Sequence, residues 1–331
     1  MTTVVNGRFL PQRPGGLQRT ARSLLEELRL LVPLEVVAPA PDPLADVVRS
    51  APAGRAGGQL WEQVLLPRHA AGRPVLSLAN TAPLASRRST VLVHDLAPLV
   101  GPQWFHPSMR AYGRLVLAAA RRAAVTVTVS ESVRRELLAR GVKRVEVVRP
   151  AVDPAFRPAP EEDVAQVRAQ HGRYVVLVGW ADPRKDLATA LAAHLAVARE
   201  LPHRLLLVGS GRGVFADVRT PGGPTVSVLS HVPDDELRAL LTGAEVLLYP
   251  SLYEGFGLPP LEAAACGTPS IVSDLPVLRE STRGLATFVP AGDVDAWAAA
   301  LRHALVSPAR VVAPVGRSWA DAARELAGLL P

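Results

Sequence analysis

The sequence predicts an α/β protein made of two doubly wound parallel sheets, each with helices on both faces. Three observations predict it. Short apolar runs alternate with helix-patterned segments along the whole chain, which is the rhythm of strand–helix–strand units. The length, 331 residues, suits two domains of ordinary size. The rhythm breaks once, at Arg149-Pro-Ala-Val-Asp-Pro-Ala-Phe-Arg-Pro-Ala-Pro160, where four prolines read as a linker. Charge changes sign at the same place. Residues 1–158 hold 22 Lys+Arg against 11 Asp+Glu, a net of +11, and residues 159–331 hold 15 against 19, a net of −4. The expected division is therefore 1–155 and 156–316.

In the front half, Val75-Leu-Ser-Leu, Val91-Leu-Val, Val125-Thr-Val-Thr-Val and Val145-Glu-Val-Val read as strands because β-branched and apolar residues dominate them. Leu17–Leu31 reads as a helix, with Leu17, Ala21, Leu24, Leu25 and Leu28 on one face. Met109–Ala124 and Ser132–Arg140 follow the same period. Met109–Ala124 carries Arg110, Arg114, Arg121 and Arg122 among Tyr112, Leu115, Val116 and Leu117. It reads either as a basic amphipathic helix for an anionic membrane surface or as a core helix with a solvated face. In the back half the strands are Tyr174–Val178, Arg204–Val208, Thr225–Leu229, Val246–Tyr249 and Ser270–Val272. Helices are expected at Ala188–Glu200, Asp235–Thr242, Pro260–Ala265 and Asp295–Leu305.

Composition excludes several classes. Apolar residues make up 48% and charged residues 20%, so the chain can bury a core and is not globally disordered. A single cysteine, Cys266, rules out a disulfide framework and fits a reducing compartment. No basic segment followed by a long apolar stretch opens the chain, and no run of about 18 uncharged apolar residues occurs. A soluble cytoplasmic protein is expected, with peripheral contact to the inner face of the membrane left open by the basic front half. Nucleic acid is not an expected partner: aromatic content is 5%, and no helix-turn-helix, zinc-finger or RNA-binding signature is present. The cations are 35 Arg and two Lys, Lys143 and Lys185, so a retained lysine points to a place that needs a compact ammonium.

The most informative segment is Pro250-Ser-Leu-Tyr-Glu-Gly-Phe-Gly-Leu-Pro-Pro-Leu-Glu-Ala-Ala-Ala-Cys-Gly-Thr-Pro. A strand ends at Tyr249, a glycine-containing loop follows, and Pro259 and Pro260 open a helix where their missing N–H costs nothing. Gly267 closes it. Phe256, Gly257 and Leu258 would then present backbone N–H groups at a helix N-terminus, which suits a diphosphate. Glu254 lies in the loop and Glu262 in the first helical turn. Both carboxylates would suit sugar and ribose hydroxyls and would repel the phosphates themselves; a helix-capping glutamate plus a surface one is the plainer reading.

Here the chain resembles the retaining glycosyltransferases of family 4. Their hallmark Glu-x7-Glu, within Glu-Gly-Phe-Gly-Leu-Pro-x-x-Glu-Ala, is matched by Glu254-Gly-Phe-Gly-Leu-Pro-Pro-Leu-Glu262-Ala. The resemblance extends over nearly the whole chain. It implies the GT-B fold: two Rossmann-like domains facing a central cleft, the first (1–155) binding acceptor and the second (156–316) binding donor. Residues 317–331, with Trp319, resemble the segment that crosses back onto the first domain. It also implies that Glu254 contacts the donor sugar and Glu262 the nucleotide ribose.

Further motifs align with this resemblance. Val178-Gly-Trp-Ala-Asp-Pro-Arg-Lys-Asp-Leu places Arg184 and Lys185 after a strand, where a leaving diphosphate needs cations. It is similar to the family's Gly-x-x-x-Pro-Arg-Lys-Asn, with Trp180 and Asp186 as departures; a surface turn is the competing reading. Arg13-Pro-Gly-Gly-Leu-Gln-Arg precedes the first helix, and Gly15 and Gly16 would let backbone approach a phosphate, as the family's N-terminal Gly-rich loop does. His94-Asp95 follows a strand; a structural histidine is the plain reading, and the family match gives His94 a sugar contact. In Ser230-His-Val-Pro, His231 and Val232 fall where relatives read the base. Gly209-Ser-Gly-Arg-Gly lacks the last glycine of a dinucleotide fingerprint, and Asp293-Val-Asp295 reads as helix capping, not a metal site.

The expected function is retaining, metal-independent transfer of a hexose, mannose being favoured by resemblance, from a nucleotide-diphosphate sugar. The acceptor would be a glycan, a glycolipid or a small molecule, and no cofactor is expected. A nucleotide-sugar epimerase or hydrolase on the same scaffold, and a noncatalytic carbohydrate-binding protein, are the alternatives.

Overall fold

A computed structural model describes residues 2–12, 15–53, 57–209, 223–230, 232–311 and 316–331. The chain divides into two compact units. The first comprises Met1–Val100, Arg110–Ala151 and Arg317–Pro331; the second comprises Gly101–Met109 and Val152–Gly316. Gly101–Met109, which a boundary near 155 assigns to the first half, groups with the second. Among the described residues no helix is long and apolar enough to cross a membrane.

The first unit is built on strands β1 (Thr3–Asn6), β2 (Leu34–Ala38), β3 (Val47–Val48), β4 (Val75–Ser77), β5 (Ser89–Val93), β6 (Val125–Thr128) and β7 (Val145–Val147). They form one parallel sheet in the order β3-β2-β1-β4-β5-β6-β7. Its helices are α1 (Gly16–Arg29), α2 (Gly57–Leu60), α3 (Leu66–Ala70), α4 (Ala97–Val100), α5 (Ser108–Arg122) and α6 (Glu131–Ala139), and the last helix of the chain belongs here too. The strands are buried nearly throughout, as a parallel sheet covered on both faces requires. Of the two readings of the Arg-rich helix, α5 supports the core one. It buries Gly113, Val116, Ala119 and Ala120, while Arg121 donates to the Arg140 carbonyl and Arg122 to the Leu84 carbonyl.

The second unit has β8 (Tyr174–Val178), β9 (Arg204–Val208), β10 (Val226–Leu229), β11 (Leu247–Tyr249), β12 (Ser270–Ser273) and β13 (Ala286–Val289), all parallel, in the order β10-β9-β8-β11-β12-β13. Its helices are α7 (Glu161–His171), α8 (Leu187–Val197), α9 (Asp234–Gly243), α10 (Leu258–Ala265), α11 (Pro276–Thr282) and α12 (Val294–Val306). Two cores flank the sheet, one around Tyr174, Tyr249 and Leu278, the other around Trp180, Trp297 and Leu301. Asp293 caps α12, accepting from the Ala296 N–H at 3.0 Å, which is the capping role expected of it. The terminal helix, α13 (Trp319–Ala327), opens with a capping box between Ser318 and Asp321 and packs on α1.

Both sheets reverse strand order once, at β1/β4 and at β8/β11. In open parallel sheets, ligands bind where strand C-termini diverge at such a switch point. The residues that follow β8 and β11 are therefore the ones to inspect in the second unit, and those after β1 and β4 in the first.

Several elements lie beyond the sequence reading: β1, β2, β3, β13, α7, α11 and the helical stretch from Gly57 to Ala70. The last contains a π-helical turn at Trp61–Leu65. Residues 149–160 carry no helix or strand, in keeping with their prolines.

Candidate active site

β8 ends at Val178, and Gly179 turns the chain with φ +78. A Cβ there would make only ordinary contact, 3.6 Å from Lys185 Cε, so it is the left-handed backbone and not crowding that favours glycine. Asp182 then caps a single 3-10 turn, Pro183–Lys185, accepting from the Arg184 N–H at 3.0 Å. The same carboxylate holds the Arg184 guanidinium through Nε at 3.0 Å and Nη2 at 2.6 Å. On its other side the guanidinium lies over the Phe105 ring, 5.7 Å from the centroid. Asp186 takes a left-handed conformation, φ 42, and caps α8 through the Thr189 N–H and hydroxyl. Its charge is thus spent on the helix start. The left-handed backbone also explains why Asp can stand where Asn is usual, since both tolerate that conformation. Trp180, the other departure, packs in the core and donates Nε1 to the Gly209 carbonyl at 2.7 Å.

β11 ends at Tyr249, and the following loop is tied back to the first by Leu252 N–H donating to the Arg184 carbonyl at 2.7 Å. The loop closes at Gly257, the N-cap of α10, with φ +88 and no side-chain cap. Pro259 and Pro260 delete two of the amides that a helix start leaves unpaired, so Gly257 and Leu258 supply the N–H groups there. Glu262 is the fifth residue of α10 and lies in its second turn, not its first, because the helix begins two residues before Pro260. It is buried. Placing a methyl on Gly257 would bring it within 2.5 Å of Leu278 Cδ2, in a left-handed conformation besides. Gly257→Ala is expected to cost about 1–3 kcal/mol of stability. An unchanged thermal midpoint would show that the loop yields there.

Between these loops, Lys185 Nζ donates to Glu254 Oε1 at 2.5 Å and to the Tyr249 hydroxyl at 2.5 Å, and lies 4.1 Å from the Tyr249 ring centroid. The lysine and glutamate side chains are about nine-tenths buried, at 11% and 10% exposure. Burial pushes the Tyr249 phenol well above its ordinary pKa, and the neighbouring Glu254 charge adds to the rise. The phenol therefore keeps its proton, accepts from Lys185 and has its own O–H to give to Glu254. An ammonium and a carboxylate are thus held rigidly at a switch point, beside a helix start with no side-chain cap. Tyr253, next to Glu254 in the chain, forms a tilted ring pair with Trp104, centroids 6.4 Å apart. No sequence signal marked these aromatics.

The remaining expected residues are placed separately. Val232 packs against the Tyr174 core. His231, most of the Gly209–Gly213 loop, and Arg13 and Pro14 lie outside the described residues. In the first unit, Gly15 is extended at φ −163, a conformation open to any residue, and a Cβ on Gly16 would meet nothing within 4 Å. Backbone conformation therefore does not demand Gly15, packing does not demand Gly16, and the start of α1 borders open space at Gly16. His94 ends its strand with Nε2 2.9 Å from the Leu78 carbonyl, which fixes the proton on Nε2. Burial lowers its pKa, so it is a neutral imidazole. Its backbone N–H donates to Asn80 Oδ1 at 2.7 Å.

One group at the first switch point escaped sequence reasoning altogether. Glu62, on the π-turn, is fully buried. Oε2 accepts from Asn6 Nδ2 at 3.0 Å and from Thr81 Oγ1 at 2.8 Å, and pairs with Arg8 Nε at 2.7 Å; Oε1 accepts from Gln63 at 3.1 Å. Gln63 is its neighbour on the turn, but Asn6 ends β1, Arg8 follows β1 and Thr81 follows β4, so Glu62 pins the two strand ends together.

Residues 172–307 match the family described as Glycosyl transferases group 1. Over that stretch the chain is a member of that family. The group 1 assignment agrees with the switch-point location of Lys185 and Glu254, both within the matched stretch. The chain is similar to the O-antigen chain mannosyltransferase RfbU of Salmonella typhimurium, with 28% identity over 236 residues, 69% of this chain and 64% of the relative. It therefore spans less than two thirds of that relative's length. Among solved structures it has the fold of sucrose-phosphate synthase from Thermosynechococcus elongatus, with TM-score 0.71, 21% identity, and coverage of 99% of this chain and 94% of the other. Anabaena HepE, solved in complex with UDP-glucose, superposes with TM-score 0.72 at 16% identity, covering 100% and 95%. The fold is GT-B.

Proposed function

We propose that this group 1 family member transfers a hexosyl unit, with retention at the anomeric carbon, from a nucleotide-diphosphate sugar to an acceptor hydroxyl. The observation that carries the reading is the Lys185–Glu254 pair, 2.5 Å apart at the β8/β11 switch point and beside the uncapped start of α10. Donor binding divides the labour between them. Lys185 and Arg184, with the Gly257 and Leu258 amides and the Phe256 backbone before them, meet the diphosphate. Glu254 meets sugar hydroxyls, Glu262 the ribose, and the loop at His231–Val232 the base. On transfer the anomeric C–O(phosphate) bond breaks and an anomeric C–O(acceptor) bond forms on the same face. The acceptor proton passes to the departing phosphate oxygen, and the charge that grows there is what the cations and amides stabilise. In the first unit, the residues proposed to meet ligand are His94, neutral and buried, and Gly15 and Gly16 at the open start of α1.

The mannosyl lean rests on the name of the Salmonella relative, and the nucleotide-sugar donor is supported by the UDP-glucose bound to HepE. The acceptor is a glycan, glycolipid or small-molecule hydroxyl held by the basic first unit, at the cytoplasmic face of an anionic membrane. No metal ion is needed, because protein cations and amides take the role a metal would have.

A donor panel of GDP-mannose, UDP-glucose and dTDP-glucose, run with and without EDTA and with and without sugar acceptors, tests this reading. Acceptor-dependent release of nucleoside diphosphate that EDTA leaves unchanged is the expected result. Acceptor-independent epimerisation or hydrolysis identifies the alternative enzyme, and donor binding without turnover identifies a carbohydrate-binding protein.

A further inference from the structure

The second unit contains a cavity of about 530 Å³ whose lining includes Arg168, Arg173, Arg310 and Glu245. It lies at the opposite end of the sheet from the candidate active site. Arg173 immediately precedes β8, whereas Gly179 and Lys185 follow it. Five residues at about 3.3 Å each separate the two ends by roughly 16 Å.

The charges at this cavity do not cancel. Glu245 is spent: its two oxygens accept from Arg173 Nε at 2.7 Å and Nη2 at 3.1 Å, and His203 Nε2 lies 2.9 Å from Oε2. Arg168 and Arg310 have no carboxylate within 4 Å among the described residues. Other cations of this unit are paired, Arg184 with Asp182, Lys185 with Glu254, Arg279 with Asp274 and Arg302 with Glu200. Two unpaired guanidiniums converging on one cavity stand out in a half of the chain whose net charge is −4.

Helix capping explains where they are anchored. Arg168 Nε donates to the Gly243 carbonyl at 3.2 Å, and Arg310 Nη1 to the Thr242 carbonyl at 2.9 Å, both at the end of α9. A helix C-terminus favours cations there. Capping uses one nitrogen of each guanidinium, however, and leaves both Nη atoms of Arg168 and the Nε and Nη2 of Arg310. The caps hold the two forks in place, so an anion meets donors that are already ordered. Guanidinium forks match the oxygens of a phosphate bidentately.

We propose that this cavity is a second anion site that takes a small phosphomonoester, with Arg168 and Arg310 holding the phosphate. The volume falls in the range of small-molecule pockets and exceeds what a bare phosphate fills. The rest of the molecule, of sugar size, would therefore occupy the remainder.

Calorimetric titration of the full chain with glucose 6-phosphate, and separately with inorganic phosphate and glucose, tests the site. Glucose 6-phosphate is expected to bind more tightly than phosphate, and glucose not at all. Ala309→Glu places a carboxylate in the lining without touching either cap and is expected to weaken binding by at least 10-fold. Arg310→Lys, which keeps charge and loses the fork, should weaken it several-fold. Lys185→Ala, at the other end of the sheet, should leave it unchanged. No binding of glucose 6-phosphate up to 10-millimolar-scale concentrations would overturn the proposal. So would equal binding by folded Ala309→Glu protein, or binding that disappears with Lys185→Ala, which would place the anion at the donor site. None of these outcomes depends on which sugar is transferred.

Discussion

Lys185→Ala is expected to lower turnover about 10²–10³-fold, the loss typical of removing one preorganised donor from a developing oxyanion. It should also destabilise the fold, because Glu254 would stay buried without its partner. Breaking a buried pair from one side costs about 3–5 kcal/mol. The two effects separate in the double variant Lys185→Ala, Glu254→Gln. Removing both charges ends the imbalance, so the thermal midpoint should recover most of its loss while turnover stays low. Lys185→Arg is a useful third arm, since a planar fork fits poorly where Nζ meets both Glu254 and the Tyr249 hydroxyl. A double variant with full activity would remove Lys185 and Glu254 from the reaction and leave the pair as a structural strut.

Glu62→Ala should produce the largest loss of stability at the first switch point. Four side chains converge on its carboxylate, and Arg8 is paired to it directly. Deleting it leaves the largely buried Arg8 guanidinium without its carboxylate, with only Thr81 Oγ1 to accept from it, and removes one acceptor from the Asn6 amide, at a cost of about 3–5 kcal/mol and on the order of 10 °C in Tm. Glu62→Gln keeps the shape and loses the charge, so it should fall between wild type and alanine. Gln63→Ala, which removes the contact to Oε1 together with the bonds that Gln63 makes to the Ala82 carbonyl and from the Leu84 N–H, should cost about 1–2 kcal/mol. Denaturant unfolding followed by circular dichroism ranks the four proteins. Equal midpoints for Glu62→Ala and Gln63→Ala would mean that the network is not held by its charge.

These two carboxylates differ in how they could be found. Glu254 was legible because it lies in a local pattern: strand end, glycine loop, paired prolines, helix. Each step follows from backbone preference over a few residues, and α10 starts within two residues of where the prolines put it. Glu62 sits in Leu-Trp-Glu-Gln-Val-Leu, a string that carries no chemistry by itself. It becomes a buried hub only when Asn6, Arg8 and Thr81, from distant parts of the chain, are folded around it. The Lys185–Glu254 bond spans 69 residues for the same reason. Sequence reasoning named both partners, yet it assigned them to different ligand groups and did not foresee that they pair.

Apolar periodicity, turn residues and the proline-rich stretch determined by themselves that this chain would form two parallel α/β units with helices at α1, α5, α8, α10 and α12. Those signals are local, and backbone preference reads them over four to fifteen residues. Strand order was settled only by the tertiary structure. It also settled the switch points, the assignment of Gly101–Met109 to the second unit, and which charges are buried together. Such properties depend on packing between segments far apart in the chain, where burial turns an ordinary Lys, Glu or Arg into a group that must find a partner.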